Sequence, residues 1–568
     1  MTALPRFPVT LPLRSLALAA LCALYLLAGL TGHDPWKNDD ATHFGVVYGL
    51  LNGGNWWAPQ LGGGSYLETP PLYYWVAAAC GRLFGGLLPL HDAVRLATGL
   101  FGALLLGFLA FASRALHPPT PTNARNQYSS VPSPPAHEIA NSNATALIAI
   151  GSIGLLVPIH DTQPLIALLA ASAAAYAGFA LLLQRPLAGG VMAGLGIGLG
   201  FLAVGVTALV TLLPLLFLLP LSRHWRSASG LRGLGIAIAV AVPLCASWPL
   251  LLAWQAPQAP NTHTLSAWWS NAAAGIRYQS GWLHALPDYF ELLAWFAWPA
   301  LPLAVWTLWL HRRRLSQPAL LLPLAGTLTT LLTLLLIYEP RSNQALPLLV
   351  PLILLAASGV NRLQRGGANA FDWFGMMTFT IVAGLVWLGG IAMTSGVPPQ
   401  IAHNFAKLAP GFVARVSPLA YVAAALLSLA WLWLIFASPR SPWRAVTHWA
   451  AGATLMWVLL MTLWLPWIDY GKSYRSVAAA LQSTLHDISP TPGCIAGRNL
   501  GNAQRVSLQY FAGIVTLPAE TPAARTCLLL LEQGVAEDKA GRPGWRKAWE
   551  GHRPGDRSER LRLYQRGD

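Results

Sequence analysis

Apolar residues fill most of the chain in blocks of about twenty, separated by short polar breaks, and each block matches the helix needed to cross ~30 Å of hydrocarbon. Thirteen such blocks are legible, at 13–31, 92–113, 143–159, 164–183, 187–204, 206–221, 230–254, 289–310, 317–337, 345–361, 372–394, 416–437 and 445–466. They predict an all-α polytopic membrane domain over residues 1–469. The apolar stretch 70–88 is left out of that count, because it carries Arg82 and a glycine-rich end. Counting it would invert every later loop. It reads instead as a helix along the outer interface, with Tyr73, Tyr74 and Trp75 at headgroup depth.

After residue 469 the pattern changes. No later run is long enough to cross a membrane, and residues 470–568 hold fourteen Lys plus Arg against nine Asp plus Glu. YRSVAAALQSTL and AQRVSLQYFAG read as amphipathic helices, CIAGRN and CLLLLEQ as strands, and RLRLYQR as a closing edge strand. A small soluble α/β domain follows. Cys494 and Cys527 open the two central strands, and if those strands are neighbours in an oxidising compartment the thiols can bridge. Cys22, Cys80 and Cys245 lie in apolar surroundings and read as inert packing residues.

Composition agrees with the pattern. Hydrophobic residues make up 55% and charged residues 10%, with a mean hydropathy of +0.48, which excludes a soluble globule with an ordinary polar surface. The net charge of +15 has no basic helix or stacking platform beside it, so nucleic acid is not the partner. The arginines cluster in alternate short loops, as in Arg312, Arg313 and Arg314. That bias predicts a cytoplasmic amino terminus, with the loop 32–91 and the carboxyl-terminal domain on the opposite, periplasmic side. Arg6 and Arg14 precede the first block as in a signal peptide, but AGLTGHDP lacks a small-x-small cleavage pattern, so an uncleaved anchor is expected. Residues 114–142, rich in Pro, Ser and Asn, read as a mobile cytoplasmic linker.

The candidate chemistry lies in the loop 32–91, which holds Asp39, Asp40 and Glu68. Ionised carboxylates are costly beside a bilayer, so acids gathered there point to a task. The bland reading of Asp39 or Asp40 is an N-cap on the helix that follows, and Asp161 would cap the fourth block in the same way. His160 reads equally as a satisfied interfacial residue, and the paired tryptophans 56–57 and 268–269 as interfacial belts.

The segments DDATHF, NGGNWWAPQ and YLETPPLYYW occur in that order within residues 39–75. Together they resemble the first-loop signature of the GT-C glycosyltransferases related to lipid A aminoarabinose transferases and protein O-mannosyltransferases (glycosyltransferase family 39/83-like). In that family a D-E-x-R-Y segment precedes G-D-W-x-x-P and then F-E-K-P-P. Asp39 and Asp40 fall on the first pair and Glu68 on the Glu. HDTQPLIALL resembles the second outer loop and places Asp161 on its acid. GLGIGLGFLAVG and PRSNQALPLLVP resemble two later family segments.

The resemblance implies an inverting, polyprenyl-phosphate-sugar-dependent glycosyltransferase of the bacterial inner membrane, working on the periplasmic side. Its acceptor would be lipid A, a glycan or a protein. Asp39, Asp40, Glu68 and Asp161 would be its catalytic acids. A carboxylate at the anomeric carbon can take the acceptor's proton and stabilise an oxocarbenium-like centre. The departures share one sign, since Thr42, Thr69 and Val204 stand where the lipid A branch carries cations, and Gln344 replaces an aromatic. Lys37, His43, His160 and Arg341 are the candidate substrate-binding residues that remain. Either the phosphate is held differently, with a divalent metal on the acids as one route, or transfer has been lost and the chain is a lipid-binding or assembly subunit. A secondary transporter is the third class, but the spans lack the ionisable residues near the midplane that transport needs.

Overall fold

The computed structural model describes residues 11–36, 38–62, 64–117, 135–255, 264–275, 283–439, 441–488, 493–535, 543–556 and 558–567. Within them, eight helical runs are long and apolar enough to cross a bilayer: Leu90–Leu116, Pro164–Leu181, Pro186–Val204, Ala228–Trp254, Pro318–Ile337, Arg365–Ser395, Pro418–Ala437 and Pro442–Ile488. Two apolar pairs are bent, Ser142–Gly151 with Ile153–His160 by 66° and Leu286–Phe296 with Ala300–Leu310 by 99°. Three apolar helices are shorter: Ser15–Leu27, Val206–Leu221 and Ser342–Ala357. Every predicted block falls on one of these elements, and their lengths support eight to ten full crossings. The interruptions have local causes. Gly205, at φ +75°, splits Pro186–Val204 from the next helix, a conformation that is cheap only without a Cβ.

Helix Pro164–Leu181 is the hub of the bundle. Its alanines leave room for backbones to approach, and nearly all of its residues are buried. A Cβ at Gly178 would come within 2.3 Å of the Ala193 amide nitrogen, so glycine there sets the separation from helix Pro186–Val204. Without a hydrophobic drive inside lipid, such close van der Waals contact is what holds helices together.

Segment 70–88 forms helix Leu72–Phe84, thirteen residues or ~20 Å long, too short to span. Its tyrosines correct the sequence reading, because Tyr73 and Tyr74 are fully buried and point inward rather than to headgroups. Each has an internal hydroxyl partner. The expected linker is also shorter than predicted: helix Leu90–Leu116 runs into it and helix Pro135–Gly151 begins inside it, while 118–134 fall outside the described residues.

The tail is a five-stranded sheet in the order Thr516–Pro518, Ile495–Arg498, Leu529–Val535, Glu559–Arg566 and Trp545–Gly551. The first three strands are parallel and the last two antiparallel. Helix Arg475–Ile488 covers one face with Val477, Ala478, Leu481 and Leu485 over Ile495, Leu529, Leu531, Leu561 and Leu563. The strand at 559–566 was expected at the edge and lies inside, because Trp545–Gly551, unrecognised in the sequence, pairs beyond it. The neighbouring central strands bring Cys494 and Cys527 into a disulfide.

Candidate functional site

The acids sit where the first loop, the loop before Pro164 and the start of the tail converge. Helix Asp39–Leu51 begins after Asn38, whose φ of 77° turns the chain sharply, and whose side chain makes no capping bond. Asp39 and Asp40 are therefore first-turn residues and not caps, and successive positions on a helix aim them in different directions.

Asp40 points into the protein. Its Oδ2 lies 3.3 Å from Arg95 Nη2, its Oδ1 accepts from the Thr162 amide at 2.8 Å, and its Oδ2 accepts from the Trp36 amide at 3.0 Å. Burial alone would raise its pKa, but the Arg95 guanidinium, His33 and the two amides outweigh burial and hold it well below the usual carboxylate range. It is a permanently charged anchor with its lone pairs spent. Arg95 also binds Asp92 at 2.9 Å and the carbonyls of Leu30, His33 and Asp34. Asp40, one of the expected catalytic acids, is thus placed where it ties the first loop to helix Leu90–Leu116 and to the loop before Pro164.

Asp39 is half-buried. Its Oδ2 accepts from the side-chain amides of Gln163, at 3.3 Å, and Asn343. Neutral amide donors orient a carboxylate without neutralising it. Gln163 is presented by a clamped loop: Tyr73 Oη accepts from the Gln163 amide at 3.1 Å, and Thr98 Oγ1 lies 2.6 Å from Tyr73 Oη and donates to the Asp161 carbonyl at 2.8 Å. Gln163, not Asp161, also caps helix Pro164–Leu181.

Asp161 belongs to the same cluster in a different charge state. Burial, and then the nearby Asp40 carboxylate, push its pKa up to about 8, against the pull of Arg95 and Lys472. The site thus favours the protonated form of Asp161, which can donate a hydrogen bond. Glu68 is exposed, and among the described residues no hydrogen bond joins it to the other acids. The buried Tyr66 hydroxyl faces both Glu68 and Asp39, which, after burial, raise its pKa above the ordinary value.

The expected cations fare differently. Lys37 lies outside the described residues. His43 is buried with Nδ1 2.8 Å from Tyr74 Oη, and burial holds its pKa down to about 4, so it is neutral at pH 7 and not a phosphate-neutralising cation. His160 is buried: its ring nitrogens lie 2.6 Å from the carbonyl oxygens of Leu156 and Tyr25, and the ring stacks on Trp457. Arg341 is 70% exposed and paired with Glu339 at 2.6 Å, two residues from the Asn343 that meets Asp39. Among the described residues no three His, Cys, Asp or Glu side chains converge to hold a metal ion.

Sequence reasoning missed Arg95, Gln163 and Asn343. Arg95 had a signal, since an arginine inside an apolar span must have a partner. Gln163 and Asn343 had none, because a lone amide in a loop is unremarkable until the fold places it.

The tail completes the enclosure. Asp34 Oδ2 accepts from Ser473 Oγ at 2.6 Å and Arg475 Nε at 2.9 Å, and Asp469 Oδ1 accepts from the Asp34 amide and from Trp36 Nε1, each at 2.9 Å. The hydrogen bonds of Arg475 and Ser473 carry the Asp34 pKa below its ordinary value despite burial. Tyr510 of the tail packs on Phe44 and Tyr48 of the first-loop helix, at 4.8 and 5.3 Å between ring centres. Beside the site, helices Leu72–Phe84, Leu90–Leu116, Pro164–Leu181 and Pro186–Val204 enclose a cavity of about 640 Å3, walled by apolar residues including Leu72, Phe101, Ala167 and Met192.

No family model matches the chain. It is 28% identical over 468 residues, 78% of its length and 73% of the relative's, to an undecaprenyl phosphate-alpha-4-amino-4-deoxy-L-arabinose arabinosyl transferase of Pseudomonas aeruginosa (strain UCBPP-PA14). The Edwardsiella ictaluri protein of the same name is 27% identical over 416 residues, covering 70% of this chain and 69% of that one. Among solved structures, ArnT from Cupriavidus metallidurans bound to undecaprenyl phosphate superposes with a TM-score of 0.66 over 98% of each chain, at 16% identity.

Proposed function

We propose that this chain, a GT-C-fold membrane protein related to the undecaprenyl phosphate-aminoarabinose transferases, is a glycosyltransferase. In this reading it moves a sugar from a polyprenyl-phosphate donor to a lipid A-type acceptor at the periplasmic face of a bacterial inner membrane. The observation that carries the reading is Asp39. It is the acid of the cluster that is oriented by two neutral amides, Gln163 and Asn343, with no cation paired to it among the described residues, and that stays half-buried rather than sealed inside. The names of the relatives support the donor class, and the apolar cavity beside Tyr73 offers a surface for the donor's isoprenoid.

The acceptor oxygen attacks the anomeric carbon while the bond from that carbon to the phosphate oxygen breaks. Polyprenyl phosphate leaves with the bonding pair, and the acceptor's proton passes to the Asp39 carboxylate. One displacement inverts the centre and needs no covalent intermediate. Protonated Asp161 donates a hydrogen bond to substrate oxygen without adding a repelling charge, and Tyr66 with Glu68 lines the outer wall. Asp40 and Arg95 take no part in bond making; they hold the loops of Asp39 and Asp161 in register.

The test is a transfer assay with polyprenyl-phosphate sugars on the purified protein. Wild type transfers, and Asp39→Asn loses about a hundredfold or more in rate, the range general-base removal produces, while melting at the wild-type temperature. A second reading is favoured by Thr42, Thr69 and Val204, which stand where relatives of this kind have cations: an inactive homologue that binds polyprenyl phosphate as an assembly subunit. Phosphate binding by a wild type that transfers no sugar from any donor selects it.

A further inference from the structure

If the donor is a polyprenyl phosphate, a phosphate group must approach the carboxylates of Asp39 and Glu68, and some cation has to offset that repulsion. Among the described residues most nearby cations are committed. Arg95 is buried on Asp40 and Asp92, Arg475 is held by Asp34, Arg553 by Asp556 and Glu559, and Arg341 by Glu339.

Lys472 is different. It ends helix Leu465–Lys472, is exposed, and carries its ammonium 4.2 Å above the Trp36 ring, with no carboxylate within ion-pair distance among the described residues. Trp36, over whose ring the ammonium lies, donates its amide to Asp40 at 3.0 Å, so Lys472 stands beside the acidic cluster. Its placement is rigid. Trp36 beneath it is fixed by Asp469, three residues before Lys472 on the same helix, and Ser473 directly after it bonds Asp34. The ammonium rests on the ring face by cation–π attraction, which holds the charge in place without a carboxylate partner.

We propose that Lys472 is the substrate-binding cation that receives the donor phosphate. The positive charge absent at positions 42, 69 and 204 would thus be supplied from the far end of the membrane domain, at its junction with the tail. This rests on the polyprenyl-phosphate reading above. The plain alternative is a lysine that only complements its own helix C-terminus and covers Trp36, and that alternative gives no discrimination between a phosphate and an alcohol.

The experiment compares binding of undecaprenyl phosphate and undecaprenol to the detergent-solubilised full chain by native mass spectrometry, in wild type, Lys472→Met and Lys472→Arg. The expected result is that Lys472→Met weakens undecaprenyl phosphate binding about tenfold or more, leaves undecaprenol binding unchanged, and that Lys472→Arg restores most of the loss. A companion measurement needs no variant: acetic anhydride labelling of Lys472 in wild type falls when undecaprenyl phosphate is present and not when undecaprenol is. Phosphate preference retained within about twofold in Lys472→Met, or labelling that undecaprenyl phosphate does not change, overturns the assignment while leaving the donor reading intact. A wild type that binds both lipids equally overturns the donor reading and this assignment with it.

Discussion

Asp39 and Asp40 are neighbours in sequence with opposite destinies, and mutation separates them. Asp40→Asn leaves Arg95 buried without its main counter-charge and frees the Thr162 loop, so it costs about 3–5 kcal/mol of stability, read as a lower midpoint in thermal or denaturant unfolding. Asp161 sets a pH response. Asp40, Arg95, Lys472 and Asp39 face it, and it binds its proton more tightly in the fold than in the open chain. Stability from this group therefore falls as pH rises from about 4, its ordinary range, to about 8, and levels off above that. Transfer should weaken over the same upper limb, as ionisation adds a negative charge beside the phosphate. Asp161→Asn should flatten both profiles, and a profile unchanged by that substitution would remove Asp161 from the site. The acids themselves were legible in the sequence, because carboxylates beside apolar blocks stand out. Their division of labour was not, since it depends on which face of one helical turn meets Arg95.

At the scale of elements, the apolar blocks gave the helices directly, because a bilayer imposes one length on them. Bends were harder to see: the 99° turn between Leu286–Phe296 and Ala300–Leu310 falls inside what reads as one uninterrupted block. The sheet was read less well. Trp545–Gly551 has no alternating pattern, being half-exposed on both faces, and its pairing moved the last strand inward. Helix contacts offer a direct check. Gly178→Leu forces a side chain against the backbone of Ala193 and should abolish stable insertion of the bundle, while Gly178→Ala should cost about 1–3 kcal/mol, both measurable as loss of monodisperse protein on heating.

For the whole molecule, the disulfide joins two positions 33 residues apart in the tail, and the parallel pairing of their strands keeps them adjacent. Cys494→Ser with Cys527→Ser should lower the unfolding free energy of the tail by about 3 kcal/mol, seen as its earlier loss of protection in hydrogen exchange, with the membrane helices unaffected. The stitching at Asp34, Asp469, Ser473 and Arg475 has a different consequence. The start of the tail is fastened to the first loop by residues more than 430 positions apart in the chain. A chimera that exchanges carboxyl-terminal portions between relatives would inherit a tail without its latch, so grafts should succeed only when Asp34 and its distant receivers travel together.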